Sequence, residues 1–157
     1  MAHKYEHVST GEGFKVKKSG VETQVADVAV VDLTAAQIIA MYTTPVEVVP
    51  AKSGKAIFVD SVEFDITRTS TAFTGGGVVA VQYDSTAAGA GTATHATIAA
   101  AVVTGSAGET RTYRIPVVQS DIAVASIEGK GLYISNQTGV FAAGTGTARV
   151  TVWYKYV

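Results

Sequence analysis

The residues whose types and spacing are best suited to chemistry are His3, Glu6 and His7, near the start of the chain. They match the pattern H-x-x-E-H, in which two histidines bind Zn²⁺ and the glutamate acts as a general base. That chemistry also needs a helix and a third protein ligand. Here the pattern lies in a charged, glycine-flanked segment without helical periodicity, and no later predicted helix offers a glutamate. We therefore interpret it as a polar terminal segment, and the sequence predicts no metal and no other cofactor.

A second group of chemically active side chains, Asp60, Glu63 and Asp65, lies in one predicted strand. Two carboxylates held roughly 5–9 Å apart hydrolyse glycosidic bonds, so a sugar hydrolase is one hypothesis. However, Glu63 and Asp65 alternate with apolar residues, as in a strand with one solvated face. His95 is the only histidine outside the first seven residues, and no serine lies in a Gly-x-Ser-x-Gly elbow. We therefore predict that the protein is not an enzyme.

Three other patterns have a functional and a structural interpretation. Gly89–Gly91 and Gly144–Gly146 resemble phosphate-binding loops, but neither lies between a strand and a helix, so we interpret them as corner glycines. Asn136-Gln137-Thr138 fits a glycosylation sequon and, better, a hairpin turn. Trp153 and the tyrosines that follow it are suited to stacking on sugars, but alternation places Trp153 on one face of a closing strand and both tyrosines on the other.

The composition indicates the kind of elements that position these residues. The 157 residues include 24 Val, 9 Ile and 20 Thr but only 2 Leu, and β-branched side chains favour strands over helices. The length suffices for one hydrophobic core, and the absence of cysteine excludes disulfides and zinc fingers. A net charge of -1 argues against nucleic acid and membrane as partners. With only 16% charged residues, we expect part of the surface to be covered by a partner.

Residues 1–24 carry much of the charge and few apolar side chains, which predicts an extended N-terminal arm before a domain spanning residues 25–157. Because such a segment cannot hold itself to a core, we expect it to contact another chain. The candidate partner-binding residues are Lys4, Tyr5, Phe14, Lys15, Lys17 and Lys18.

One short helix is predicted over Ala35–Tyr42. Thr34 and Gln37 form a capping-box pattern, and apolar residues recur at helical spacing up to Thr43-Thr44-Pro45, which ends the helix. We expect the helix to pack against a sheet. Its structural residues are Thr34, Gln37, Ile38, Ile39 and Tyr42.

The remaining segments read as seven to nine strands. Val46–Val49 and Ala56–Arg68 flank a polar turn and predict a hairpin, and residues 85–109 fit a long loop, a short helix at Ile98–Val103 or a poorly patterned strand. Further strands are predicted at Val78–Tyr83 and near residues 111–118, 131–135 and 148–156. The predicted fold class is all-β: an antiparallel, jelly-roll-like β-sandwich with one short helix and an extended N-terminal arm.

The segment Asp32–Ala51 and the Gly-x-Gly-Thr-x-Arg-Val-x-Val-x-Tyr pattern over Gly144–Tyr154 resemble small structural proteins of tailed bacteriophages. The resemblance covers most of residues 25–157 and implies a capsid cement or decoration protein, often trimeric. What the arm binds is not implied by it, because the arm lies outside the matching segments.

Taken with the composition, the resemblance leads us to expect a virion protein on the capsid surface, assembled in the host cytoplasm. Its partners would be the major capsid protein and two further copies of the chain. It would bridge neighbouring capsid subunits, and several modest contacts would raise its avidity. The alternative is a tail or fibre module that recognises cell-surface carbohydrate.

Overall fold

The computed structural model describes residues 6–10, 13–18, 21–24, 26–115 and 122–157, with only the backbone described for residues 6–24 and 93–95. The strands are β1 (Glu6–Thr10), β2 (Gly13–Lys18), β3 (Val21–Gln24), β4 (Asp27–Thr34), β5 (Val46–Val49), β6 (Ile57–Arg68), β7 (Thr74–Gly75), β8 (Val79–Tyr83), β9 (Ala93–Ile98), β10 (Thr110–Ile115), β11 (Leu132–Asn136), β12 (Phe141–Ala142) and β13 (Gly146–Tyr156). The helices are α1 (Ala35–Ala40), α2 (Ala100–Val103) and α3 (Val124–Ile127), and a 3₁₀ turn covers Ala87–Gly89.

Eight of these strands form two four-stranded antiparallel sheets. One sheet has the order β10-β6-β13-β4 and the other has the order β5-β11-β8-β9. Successive strands along the chain alternate between the two sheets, except that β8 and β9 form a hairpin within one sheet. This is the strand order of a jelly roll. The predicted fold class is therefore confirmed. β7 and β12 form a separate small ladder.

Both sheets contribute to one hydrophobic core. In β6, Val62, Phe64 and Ile66 are buried as the alternation predicted, and in β8 Val79 and Val81 are buried as well. β-branched and aromatic side chains at every second position fill the space between two pleated surfaces. Across the core, the Tyr83 hydroxyl donates a hydrogen bond to the Ile57 carbonyl oxygen at 2.8 Å, which ties β8 to β6.

The predicted helix forms, and its capping box is present. The Gln37 backbone N–H donates to Thr34 Oγ1 at 3.3 Å, and the Thr34 N–H donates to Gln37 Oε1 at 2.9 Å. The helix ends at Ala40, two residues earlier than predicted, because a turn follows. Ile38 and Met41 are fully buried against the core. Ile39 and Tyr42 are partly buried, so Met41 rather than Tyr42 completes the buried stripe.

The predicted hairpin of Val46–Val49 with Ala56–Arg68 is wrong. β5 pairs with β11, whereas β6 pairs with β13 and β10, so the turn between them carries the chain from one sheet to the other. Residues 85–109 hold a 3₁₀ turn, then β9, then α2, which means that two of the three alternatives considered for this segment occur in succession. α3 is a further single-turn helix that the sequence did not indicate.

The backbone of residues 6–24 forms three antiparallel strands, in which β2 pairs with β1 and with β3. The charged segment is thus extended locally but folds back twice. Glu6 and His7 lie in β1, so the helix that the H-x-x-E-H pattern requires is not formed there. The division of the chain into arm and domain at residue 24 stays a prediction.

Candidate interaction face

The side of the β10-β6-β13-β4 sheet that points away from the core is the candidate functional surface, and we call it the outer face. Strand register aligns its side chains in rows across the sheet. The three rows are Val28–Trp153–Ser61, Val30–Thr151–Glu63–Arg114 and Asp32–Arg149–Asp65–Thr112. Two cross-strand ion pairs lie towards one end of this face, the polar half, and exposed apolar side chains together with one further ion pair lie towards the other, the apolar half.

The polar half is built from two cross-strand ion pairs. Arg149 binds both carboxylate oxygens of Asp32, with Nε–Oδ1 and Nη2–Oδ2 distances of 2.7 and 3.0 Å. The hydrogen bond from Arg149 lowers the pKa of Asp32, and the same bond raises the pKa of Arg149. Arg114 Nε donates to Glu63 Oε2 at 2.7 Å. Because these pairs are exposed, they contribute little stability and mainly fix the orientation of charged groups.

The apolar half contains four of the most exposed large hydrophobic side chains in the described part of the chain. These are Val28, Val30, Phe58 and Val157, and Trp153 lies partly buried in the row with Val28. Lys155 Nζ lies 5.9 Å from the centre of the Phe58 ring and 3.4 Å from Asp60 Oδ1. Exposed apolar side chains clustered in this way are typical of a contact with another protein.

A bulge in β6 explains why Phe58 joins this patch. The register between β13 and β6 shifts at Trp153/Tyr154, so Trp153 pairs with Ser61 while Lys155 pairs with Phe58. Beyond the bulge, Tyr154 and Tyr156 pair with the buried Val59 and Ile57, on the core side of the sheet. The predicted alternation of Trp153 against the two tyrosines is therefore confirmed.

The two tyrosines are held by each other and by the backbone. Their rings meet edge to face at 5.4 Å, and the Tyr156 hydroxyl donates to the Pro50 carbonyl oxygen at 2.8 Å. Burial raises the pKa of Tyr156 to about 12 and also raises that of Tyr154. With one ring edge against the other and the hydroxyl of Tyr156 engaged, these tyrosines do not form a flat platform for a sugar.

The three carboxylates considered for sugar hydrolysis do not converge on an open site. Glu63 is bonded to Arg114 and Asp60 to Lys155. One oxygen of Asp65 is buried and has no hydrogen-bond partner among the described residues, although Arg149 lies beside it in the same row. The interpretation as a strand face is favoured, because Glu63 and Asp65 sit in cross-strand rows and Asp60 lies at the bulge of the same strand.

The other motifs have structural roles. Asn136 is buried, and its Oδ1 accepts hydrogen bonds from the backbone N–H groups of Thr138 and Gly139, so the chain turns at the sequon. The turn does not form the predicted hairpin, because β11 pairs with β5 and β8 while β12 pairs with β7. Gly146 has φ +139, and a Cβ there would lie 2.0 Å from the Thr67 carbonyl oxygen. The Gly144–Gly146 pair therefore serves a tight corner.

The candidate partner-binding residues of the arm fall into two sets. Lys4 and Tyr5 lie outside the described residues. Phe14, Lys15, Lys17 and Lys18 are on β2, whose backbone pairing is described while its side chains are not. Of the structural residues predicted for the helix, Thr34, Gln37, Ile38 and Ile39 lie in α1 or at its N-cap, whereas Tyr42 lies in the turn that follows. The helix is beside one end of the outer-face sheet, since α1 follows β4 directly.

Sequence reasoning missed the outer face as a site and missed the buried Arg68. The sequence does not distinguish the exposed valines of β4 from other strand residues, because their exposure depends on the position of β4 at the edge of the sheet. Arg68 continues the alternation of Val62, Phe64 and Ile66 by one more step, and this was the available signal for its burial.

Within residues 26–115 and 122–157, no cluster of three or more His, Asp or Glu side chains is placed to hold a metal ion. In that same part of the chain, every helix is too short to cross a membrane. No protein-family model matches the sequence, and no curated protein matches it either. The function is therefore argued from the geometry of the outer face and from the resemblance of its motifs.

Proposed function

We propose that the protein is a capsid cement protein, which binds the outer surface of a tailed-phage head as a trimer and bridges neighbouring capsid subunits. The observation that carries the proposal is the apolar half of the outer face, where Phe58 and Val28 remain exposed beside Trp153 on a regular sheet. Protein interfaces combine an apolar centre that includes aromatic residues with a polar rim.

The polar half supports the same function. Paired charges such as Asp32–Arg149 and Glu63–Arg114 bound the apolar patch on one side. Charges at the rim of an interface govern association rate and register more than affinity. A cement protein needs this combination, because many copies must bind in one orientation, and each contact need only be modest if several are linked.

The test is binding of purified protein to heads of the phage that carries its gene, measured by co-sedimentation and negative-stain microscopy. Wild type should saturate the heads. Phe58→Ser should lower occupancy about tenfold at limiting protein, as expected when a central apolar contact worth more than about 1 kcal/mol is lost. Val124→Ser is the matched control, because Val124 on α3 is similarly exposed but lies off the outer face.

Equal binding of Phe58→Ser and wild type would contradict this use of the outer face. Binding to host cells in place of heads would contradict the cement function and favour the tail or fibre module. A mass in solution near three times the chain mass of 16.2 kDa is expected for the free protein.

A further inference from the structure

Among the described residues, the two sheets have four edge strands, and β4 is the longest of them. β4 has eight residues, whereas β9 and β10 have six each and β5 has four. β5 lies between Pro45 and Pro50, and β10 carries two arginines; proline and positive charge are common means of preventing edge pairing. β4 contains neither proline nor lysine nor arginine.

The backbone of β4 is also open on one side. Within residues 26–115 and 122–157, β4 pairs with β13 alone, so the hydrogen-bonding groups on its other side point away from the sheet. Val28 and Val30, at 52% and 53% exposure, stand on this edge. A long edge strand with exposed apolar side chains of this kind is a template for another strand.

The opposite edge of the same sheet has complementary charge. β4 contains Asp27 and Asp32 and no basic residue, and β10 contains Arg111 and Arg114 and no acidic residue. Arg114 is bonded to Glu63 through Nε only, and its side chain is 82% exposed, so its terminal nitrogens are available to a neighbour.

The strand directions fit as well. Because the sheet has four strands and every neighbouring pair is antiparallel, β4 and β10 run in opposite directions. A second copy rotated about an axis parallel to the strands keeps its strand directions and therefore brings its β10 antiparallel to β4. In one antiparallel register, residues 29–34 of β4 lie opposite residues 110–115 of that copy, with Ala29 opposite Ile115. Outer-face side chains of the two copies then lie on the same side of the continued sheet. In this register Asp32 lies diagonal to Arg114 of the neighbour, within reach of a long side chain.

We propose that the β4 edge of one copy pairs with the β10 edge of the next copy, so that the sheet continues from subunit to subunit around a closed ring of three. Such a head-to-tail contact closes into a ring when the rotation between copies permits it. This inference deepens the proposed trimeric cement protein, but its tests measure self-association and not head binding, so the two can fail separately.

The first test is cross-linking through introduced cysteines, since the chain has none of its own. The variant carrying both Val30→Cys and Thr112→Cys is treated with a bis-maleimide of about 8 Å span. Within one subunit these positions lie on the two edge strands, three strand spacings or roughly 14 Å apart, so the reagent joins neighbouring subunits instead. We expect a ladder in denaturing gels that ends at three chains.

Each single variant is the control. Val30→Cys alone should give no dimer, because β4 meets β10 and not another β4. A dimer of that variant would show symmetric β4–β4 pairing and overturn the proposal, as would an absent ladder in the double variant or a ladder that ends elsewhere than at three.

The second test uses a charge on the edge. Val30→Lys should convert the trimer to monomer in sedimentation velocity, since it places a cation on the edge that faces Arg114 of the neighbour. Val124→Lys has the same substitution at 55% exposure on α3 and should remain trimeric. Both should keep a folded circular-dichroism spectrum. Trimeric Val30→Lys, or monomeric Val124→Lys, would overturn the assignment of this edge.

Discussion

Arg68 shows how a single side chain organises a segment that has little pattern of its own. Its side chain is fully buried at the end of β6, where Nε donates to the Ser106 carbonyl oxygen at 2.9 Å and Nη1 to that of Val102 at 2.7 Å. Nη2 completes the set with a bond of 2.9 Å to Glu109 Oε2. These bonds anchor the loop between β9 and β10 to the sheet, since the carbonyl groups of Val102 and Ser106 and the carboxylate of Glu109 converge on one guanidinium.

We expect Arg68→Lys to lower the free energy of unfolding by about 2–4 kcal/mol, because lysine cannot reach all of these acceptors and would leave buried groups unpaired. Arg111→Lys is the control: Arg111 also binds Glu109, at 2.8 Å, but its side chain is 48% exposed, and the loss should stay below about 0.5 kcal/mol. Urea unfolding measures both. Equal losses would show that Arg68 is not the anchor of the loop.

Tyr83 makes stability depend on pH in the alkaline range. Burial raises the pKa of its hydroxyl from 10.0 to about 12. Between these values the unfolded chain loses this proton while the folded chain retains it, so the free energy of unfolding should fall as pH rises through this window, by about 2–3 kcal/mol for this group. Below pH 10 the contribution is constant.

Urea unfolding at pH 9 and pH 11.5 tests this expectation. Tyr83→Phe should be less stable than wild type at pH 9, because the 2.8 Å bond to Ile57 is lost, but it should lose less stability than wild type on going to pH 11.5. An identical alkaline decline in the two proteins would assign the effect to other groups, of which Tyr156 is the first candidate.

At the scale of elements, local signals were predictable from the sequence and partner choice was not. Two signals involve only residues that are close together in the sequence: the capping box of Thr34 with Gln37, and the alternation through Phe64. These signals were sufficient to predict the helix and the buried face of β6. The pairing of β5 with β11 depends on residues about 85 positions away, and a polar turn alone suggested a hairpin instead. The outer face could not be predicted for the same reason, since its rows combine side chains from strands that are distant in the sequence.

The helix α1 gives the prediction at this scale. Ile38 is fully buried in the core. Ile38→Asp should therefore unfold the domain, because the substitution buries an unpaired carboxylate. Ala36→Asp is the control: Ala36 is exposed in the first turn of the same helix, where a negative charge is favoured, and stability should change by less than about 1 kcal/mol. Thermal melts by circular dichroism compare the two. Equal melting temperatures would show that α1 is not packed on the core.

At the scale of the whole molecule, residues 1–24 and 25–157 are predicted to be an arm and a domain. The backbone strands of residues 6–24 pair with one another, and Leu33 is the first of the buried core residues identified within residues 26–115 and 122–157. We therefore expect the two parts to contribute differently to stability and to assembly.

Deleting residues 2–24 should change the melting temperature by no more than a few degrees, since none of the core residues identified in the sandwich is removed. Attachment to heads should weaken strongly if the arm binds the capsid or a neighbouring subunit, as the sequence predicts. Calorimetry and co-sedimentation measure the two effects. A truncated protein that binds as well as the full chain, or that fails to fold, would show that the arm is not a partner-binding segment.

The position of β13 has a consequence for synthesis on the ribosome. β13, Gly146–Tyr156, lies between β4 and β6 and pairs with both along most of their length. A nascent chain that has emerged only as far as β12 holds both flanking strands without the strand that joins them, so the sheet cannot close until β13 has left the exit tunnel. Until then, the apolar sides of β4 and β6 remain available to chaperones and to neighbouring nascent chains.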